Sequence, residues 1–349
     1  MLGLAVLGGV VVLAAALVSF ANAVPGNLDD AFITLVYARH LLDDGSLYWN
    51  LADGPIDGFT SLLDVVLKAA ALAVADDPLA MARDLSLATH AIVGLVCMGL
   101  VAATGPERGG VRALGAGTAV GLAVSLHPAP AHGASFLLES SLAVGLGVVA
   151  TALPLGVDLV ARPGVRRAWI GVLMLACLVR PEAQALAVGS ALLHAVVLAP
   201  AAPRGVRLSP LLAVAATLVA YYAWHALAFG ALLPNTFYAK SSASRGQELA
   251  DGWAYLMGFV GEHGLLGALT LVLPLVVPLP LLRGGWRPAP ARRRHALVSL
   301  AAAATLALVV VEGGDSYTGG RFLALPAVLS LVACGHLTLT GPRLARALA

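Results

Sequence analysis

The chain is a succession of long apolar runs, most without a charged side chain, separated by short polar segments. The first run, residues 1–23, carries no charge. About 20 consecutive apolar residues, wound as an α-helix, cross the hydrocarbon core of a bilayer. The runs are continuous and do not alternate with period two, so membrane-spanning helices rather than a β-barrel are predicted.

The composition agrees with this interpretation. The 349 residues are 59% hydrophobic and only 11% charged, whereas a soluble domain carries about 25% charged residues. We therefore expect one membrane-embedded domain over residues 1–349, with the lipid bilayer as a partner and no nucleic acid. The three cysteines lie inside apolar runs, which favours packing over a disulfide framework.

Residues 1–23 also resemble a cleaved signal peptide, because Ala21-Asn22-Ala23 has small residues at the right spacing. However, the segment lacks a basic start, and its apolar stretch exceeds the usual 7–15 residues. We expect it to remain as a transmembrane anchor.

The polar segments are of two kinds. Five basic segments hold 14 of the 21 Lys and Arg residues and one acidic residue: 106–112, 162–167, 203–207, 283–294 and 342–346. The positive-inside rule places them in the cytoplasm. Most acidic residues lie in the other segments, which are predicted to face outward: 25–84, 128–139, 180–182, 230–262 and 312–321.

This alternation fixes the number of crossings. Two apolar stretches, 59–75 and 85–104, separate the outward 25–84 loop from the next basic segment, so one of them does not cross. Asp64 and Lys68 share a helical face in the first, which favours a helix at the outer interface over a short span with a buried ion pair. Ten spans result, with both termini cytoplasmic: 1–23, 85–104, 113–127, 138–160, two within 168–202, 209–229, 264–282, 296–312 and 322–340.

The segment 168–202 must leave the cytoplasm and return within 35 residues. Each half offers about 13 helical residues, a rise of about 20 Å, which is short of the membrane core. The turn Arg180-Pro181-Glu182 is therefore predicted to be recessed and to line a polar cavity.

Ionisable and polar residues collect at the outward helix ends, where such groups are candidates for function. They are Asp29, Asp30, Glu139, Arg180, Glu182, Asn235, Lys240, Asp315 and Arg321. Structural explanations stay open for some of them. Asp29 and Asp30 open an amphipathic helix, where carboxylates suit the helix dipole, and Asp315 and Arg321 are spaced to pair with each other.

Six separated motifs, in this order, resemble those of GT-C glycosyltransferases of the bacterial terminal arabinofuranosyltransferase type. They are Asp29-Asp30-Ala31-Phe32-Ile33, GPIDGFT at 54–60, Leu138-Glu139-Ser140, Arg180-Pro181-Glu182, LPNTFYAK at 233–240, and GGDSYTGGRF at 313–322. The resemblance covers residues 25–322. It implies an all-α polytopic helical bundle with juxtamembrane helices in the first extracytoplasmic loop, in a bacterial inner membrane.

The same resemblance implies transfer of a sugar, arabinofuranose being one candidate, from a polyprenyl-phosphate donor to an extracytoplasmic glycan or glycolipid. Asp29 would be the catalytic base, with Asp30 alongside and also a candidate ligand of a divalent cation, Mg²⁺ or Mn²⁺. Arg180, Lys240 and Arg321 would meet the donor phosphate. Seven further residues are expected to contact substrate: Asp57, Thr60, Glu139, Glu182, Asn235, Tyr238 and Asp315.

The chain departs from the family pattern in two respects. Relatives usually continue into a soluble outer domain, and this chain is expected to have none after Arg346. Acceptor binding is therefore expected to be done differently or by a partner protein. Ala183 stands where a glycine is common. Two other functions remain open: a transporter or flippase for lipid-linked sugars, and a catalytically inactive binding subunit.

Overall fold

A computed structural model describes residues 1–23, 29–50, 52, 54–104, 110–137, 139–235, 238, 244–276, 290–315 and 319–340. It is 82% helical, and the described residues contain no strand. The helices are α1 Leu2–Asn22, α2 Asp29–Asp44, α3 Leu62–Leu72, α4 Pro78–Thr104, α5 Val111–Leu126, α6 Pro128–Ser135, α7 Ser140–Gly156, α8 Pro163–Ala176, α9 Pro181–Leu193, α10 Arg204–Phe229, α11 Arg245–Val276, α12 Pro290–Val311 and α13 Ala324–Thr340. A π-helical turn, His194–Leu198, extends α9, and a 3₁₀ turn, Arg321–Leu323, precedes α13.

Six helical segments of the described chain are long and apolar enough to cross a membrane. They are Leu2–Asn22, Pro78–Ala103, Pro181–Leu198, Arg204–Phe229, Arg245–Val276 and Arg321–Leu339. Shorter apolar helices cover Val111–Leu126, Ser140–Gly156 and Ala296–Val311. In the most apolar part of α10, only 17% of the residues are buried within the protein. A large exposed apolar surface of this kind is typical of a helix that faces lipid. The predicted helical bundle is thus observed and is consistent with a multi-pass membrane protein, with six candidate spans where ten were predicted.

The turn predicted within 168–202 is observed. Helix α8 has 14 residues and α9 has 13, and the two pack against each other with α7 and α10 around the buried Trp169. The indole N–H of Trp169 donates to the Ala150 carbonyl oxygen over 2.9 Å. Helix α8 is as short as the sequence predicted, whereas the π-helical turn lengthens α9 to the 18-residue segment Pro181–Leu198. Residues 177–180 connect the two helices.

The segment predicted as an interfacial helix, 59–75, is helical only over α3. The hydroxyl oxygen of Ser61 caps α3 by accepting from the backbone N–H of Asp64 at 3.1 Å. Eleven residues rise about 16 Å, roughly half of a hydrocarbon core, which argues against the alternative of a short span. The buried ion pair of that alternative is nevertheless present, because Lys68 Nζ lies 2.7 Å from Asp64 Oδ2 inside the protein.

The prediction of an outer loop over 230–262 followed by a span over 264–282 is wrong for residues 245–262. Helix α11 includes them, and a break at Gly264 (φ 54°, ψ −125°) divides it where the span was expected to begin. The first half is amphipathic and packs on α12. Gly252 permits this contact, since a Cβ added there would lie 2.3 Å from the Val310 carbonyl oxygen.

The largest buried apolar cluster joins α4, α5, α7, α11, α12 and α13. A second cluster joins α2 and α3 to the turn that follows α6. Contacts between remote segments gather at one end of the bundle, where α8, α10 and α12 end and α7, α9 and α13 begin. Helices that follow one another thus alternate in direction, and the motif residues meet at that common end.

Candidate active site

The turn between α8 and α9 presents Arg180. Its backbone is extended (φ −153°, ψ 153°), and Pro181 then starts α9. A proline disfavours helical backbone in the residue before it and is well tolerated at the first position of a helix. Pro181 therefore interrupts the helical conformation at Arg180 and begins α9. The guanidinium donates to Glu139 Oε1 at 2.8 Å and to Glu182 Oε1 at 2.6 Å. One cation therefore joins two carboxylates from different helices.

Glu139 lies in a tight turn between α6 and α7 and is 4% exposed. Leu137, two residues earlier, has φ 58°, a conformation that is unfavourable for a bulky side chain. The Leu137 carbonyl oxygen accepts from Lys68 Nζ at 3.0 Å, and Glu139 Oε1 accepts from the Thr60 hydroxyl at 3.3 Å. These contacts fix the direction of the Glu139 carboxylate.

Electrostatics keep Glu139 ionised. Burial by itself raises the pKa of a carboxyl group, but the charges of Arg180, Arg321 and Lys68 more than offset it, so the pKa of Glu139 is lowered. The carboxylates of Glu182 and Glu139 raise the pKa of Arg180, although burial of the guanidinium acts in the opposite direction. Both groups are therefore charged throughout the physiological range.

Arg321 follows the glycine-rich loop. Its guanidinium donates to both carboxylate oxygens of Asp315, and its Nη2 lies 3.8 Å from Asp30 Oδ2. Gly320 has φ 73°, and a Cβ there would lie 2.4 Å from the Phe259 ring, so a glycine is needed for this approach. The pairing of Asp315 with Arg321 that the sequence left open is observed.

Both guanidinium groups lie close to the Phe322 ring. The Arg180 Cζ is 4.7 Å from the centroid of this ring, and the Arg321 Cζ is 5.1 Å from it. Both distances are within the range of cation–π attraction. One ring thus attracts both cations.

Negative charge exceeds positive charge in this cluster. Four described carboxylates meet the guanidinium groups of Arg180 and Arg321, namely those of Asp30, Glu139, Glu182 and Asp315. In the described part of the chain, no group of three or more His, Cys, Asp or Glu residues is arranged to hold a metal ion. Asp30 as a ligand of Mg²⁺ or Mn²⁺ stays a prediction, because the side chain of Asp29 beside it lies outside the described residues.

The structure brings together seven of the predicted residues: Asp30, Thr60, Glu139, Arg180, Glu182, Asp315 and Arg321. Asp57 lies three residues before Thr60 and is buried with His225. Asn235 and Tyr238 are exposed, although the Asn235 backbone N–H donates to the Asp57 carbonyl oxygen at 3.2 Å. The side chain of Asp29 and all of Lys240 lie outside the described residues.

Sequence reasoning missed three groups beside the cluster. Asp64 and Lys68 were noted for their spacing but were predicted to lie at an interface, and they are buried beneath Glu139 instead. His225 gave no signal, because it is a single histidine in an apolar helix. Glu312 is exposed overall, yet partial burial of its carboxyl group and the nearby Glu182 raise its pKa to about 7.

In comparisons with known proteins, no family model matches the chain and no curated protein matches it significantly. Its function must therefore be inferred from its own residues and their arrangement.

Proposed function

We propose that the chain is a membrane glycosyltransferase that transfers a sugar from a polyprenyl-phosphate donor to an extracytoplasmic cell-envelope glycan or glycolipid. The observation that carries the proposal is the convergence of motifs far apart in the sequence. Arg180 and Arg321 both contact the Phe322 ring, and Arg321 lies 3.8 Å from Asp30. Charged groups of a membrane protein that are desolvated together in this way are candidates for a substrate site.

The proposed chemistry is an inverting displacement at the anomeric carbon. The Asp29 carboxylate takes the proton of the acceptor hydroxyl as that oxygen forms a bond to the carbon. The bond between this carbon and the phosphate oxygen breaks, and its electron pair stays on the phosphate. Asp30, held near Arg321, would orient the acceptor beside Asp29.

The developing negative charge on the leaving phosphate requires cations that are already in place. An arginine has five N–H donors, and in the described part of the chain Arg180 uses two of them on Glu139 and Glu182. The remaining donors are available for a phosphate oxygen. Since carboxylates already outnumber cations in the cluster, Lys240 is proposed to bring the additional positive charge that an anionic donor needs.

A transfer assay tests this proposal. The purified protein is incubated with a panel of polyprenyl-phosphate sugars and a cell-envelope acceptor, and transfer and donor binding are measured separately. Asp29→Asn should lower transfer about 10²–10⁴-fold, the range of general base catalysis, while donor binding persists. Asp43→Asn is the matched control, because Asp43 is an exposed carboxylate on the same helix, paired with Arg39.

Arg180→Gln tests the phosphate contact in the same assay. Loss of a preorganised donor to a developing charge should lower kcat about 10²–10³-fold. The control is Arg245→Gln, since the side chain of Arg245 is 79% exposed and its loss should leave transfer unchanged. Transfer at the wild-type rate by Asp29→Asn would refute the base assignment. Donor binding and translocation without transfer by the wild type would instead support a flippase.

A further inference from the structure

A buried Asp–His pair lies behind the cluster. His225 Nε2 is 2.5 Å from Asp57 Oδ2, and the two side chains are 1% and 2% exposed. The residues are 168 positions apart in the chain, so the pair joins the 54–60 motif to the end of α10. The pair lies outside the cluster around Phe322, and the proposed transfer chemistry assigns it no role.

Counting hydrogen-bond donors shows that the pair holds a shared proton. His225 Nδ1 is 2.6 Å from the Ala231 carbonyl oxygen, which can only accept, so Nδ1 carries a hydrogen. Nε2 faces a carboxylate oxygen, which also only accepts when ionised. A second proton must therefore lie between Nε2 and Asp57 Oδ2, whichever of the two atoms binds it more tightly.

The surroundings favour retention of this proton. Burial raises the pKa of Asp57, although hydrogen bonds from His225 and from the Phe59 N–H oppose the rise. Among the described residues, Tyr37 of α2 and Tyr221 of α10 are further titratable groups near Asp57. Tyr37 donates to the Ile56 carbonyl oxygen and accepts from the Gly58 N–H at 2.9 Å. No lysine or arginine among the described residues is paired with Asp57, so loss of the proton would leave an uncompensated buried charge.

The pair also fixes two segments of the proposed site. Asp57 Oδ1 accepts from the Phe59 N–H at 2.9 Å, and its carbonyl oxygen accepts from the Asn235 N–H at 3.2 Å. Thr60, three residues on, donates to Glu139, which holds Arg180. Hydrogen bonds at both ends of the short chain segment 57–60 thus connect His225 with the guanidinium proposed to meet the donor.

We propose that Asp57 and His225 are positioning residues whose shared proton holds segments 57–60 and 231–235 against the end of α10. Release of that proton at alkaline pH frees both segments and, with them, the contact of Thr60 with Glu139. The shared proton does not depend on which reaction the protein catalyses. The predicted effect of its loss on sugar transfer rests on the proposed function. The site is thereby made sensitive to pH through a pair that lies outside the cluster around Phe322.

Asp57→Asn is the decisive variant. Its amide Nδ2 can donate to the unprotonated Nε2 of His225, and its amide oxygen can accept from the Phe59 N–H. The contacts are kept, but no shared proton remains to be lost. His225→Leu, by contrast, removes the partner and leaves Asp57 buried without it.

Hydrogen exchange of segments 57–61 and 231–235, corrected for the intrinsic effect of pH, measures positioning without reference to activity. Between neutral and alkaline pH the wild type should lose protection there roughly ten- to hundredfold, the range expected when a buried acceptor loses its partner. Asp57→Asn should keep its protection over the same range. His225→Leu should lack protection at both values, and if it does not fold, the comparison of wild type with Asp57→Asn is sufficient.

The outcomes separate the two proposals. Equal loss of protection in wild type and Asp57→Asn would overturn the shared proton, and no loss in either would overturn the pH dependence. Sugar transfer by the wild type should fall at alkaline pH, whereas transfer by Asp57→Asn should not. If no lipid-phosphate sugar is transferred at any pH, the proposed function fails, and the contrast in hydrogen exchange still decides the role of the pair.

Discussion

Replacing Lys68 with methionine would remove the cation that faces Asp64 inside the protein. The ammonium group has three hydrogens, and it has three partners: Asp64 Oδ2 at 2.7 Å, Thr34 Oγ1 at 2.6 Å and the Leu137 carbonyl oxygen at 3.0 Å. The side chains of Lys68 and Asp64 are 2% and 7% exposed. Removal of one partner of a buried ion pair costs about 3–5 kcal/mol, so Lys68→Met should lower the free energy of unfolding by that amount.

A double variant separates the charge from the hydrogen bonds. In Asp64→Leu/Lys68→Met no charge is left uncompensated, and only the Leu137 carbonyl oxygen and the Thr34 hydroxyl lose their donor. We expect a loss of about 1–3 kcal/mol, so the second substitution should restore part of the stability. Because Leu137 precedes Glu139, sugar transfer should nonetheless remain impaired.

Equilibrium unfolding in detergent micelles measures both effects. The matched control is Arg39→Met, since Arg39 and Asp43 form an ion pair of the same spacing with side chains 57% and 45% exposed. An exposed pair contributes about 0–1 kcal/mol. The reasoning is refuted if Lys68→Met unfolds within about 1 kcal/mol of the wild type, or if the double variant is no more stable than the single one.

Two further substitutions test the raised pKa at the end of α12 and the need for a glycine in the loop before Arg321. The pKa of Glu312 is raised to about 7 in the folded protein, above its value of about 4.3 in the unfolded chain. The stability contributed by protonated Glu312 is therefore complete below about pH 4.3 and is lost as the pH rises toward 7. Glu312→Gln should abolish this part of the pH dependence of thermal unfolding. Gly320→Ala should displace Arg321 and lower both stability and transfer, because φ is 73° and the new Cβ would meet the Phe259 ring. Gly171→Ala, at an open helical position, should be neutral or stabilising by about 0.5–1 kcal/mol.

Local features of the sequence account for much of the fold. Proline after Arg180 and two short apolar runs predict α8, the turn and α9, as observed. Clustering of acidic residues in one class of segment predicts that the motif residues meet at one end of the bundle, as Asp30, Glu139 and Arg321 do. These features can be predicted from the sequence because they depend on residues adjacent in the chain and on the thickness of a membrane.

The remaining features depend on contacts between distant segments. The first half of α11 contains several acidic and polar residues and was predicted as a loop. Only its packing on α12 shows that Gly252, Leu256 and Phe259 are buried. The spacing of Asp64 and Lys68 gives a shared helical face, but their burial depends on Leu137 and Thr34. The partner of His225 lies 168 residues away, and no local pattern indicates it.

Everything proposed for the cluster depends on its facing the outside of the cell. Labelling of single cysteines in intact cells with a membrane-impermeant maleimide tests this directly, at Ser46 beyond the end of α2 and at Gly164 in α8, both of which are exposed. Label should reach Ser46→Cys in intact cells and reach Gly164→Cys only after the membrane is permeabilised. The opposite pattern would place the carboxylates and arginines in the cytoplasm and contradict the proposed transfer reaction.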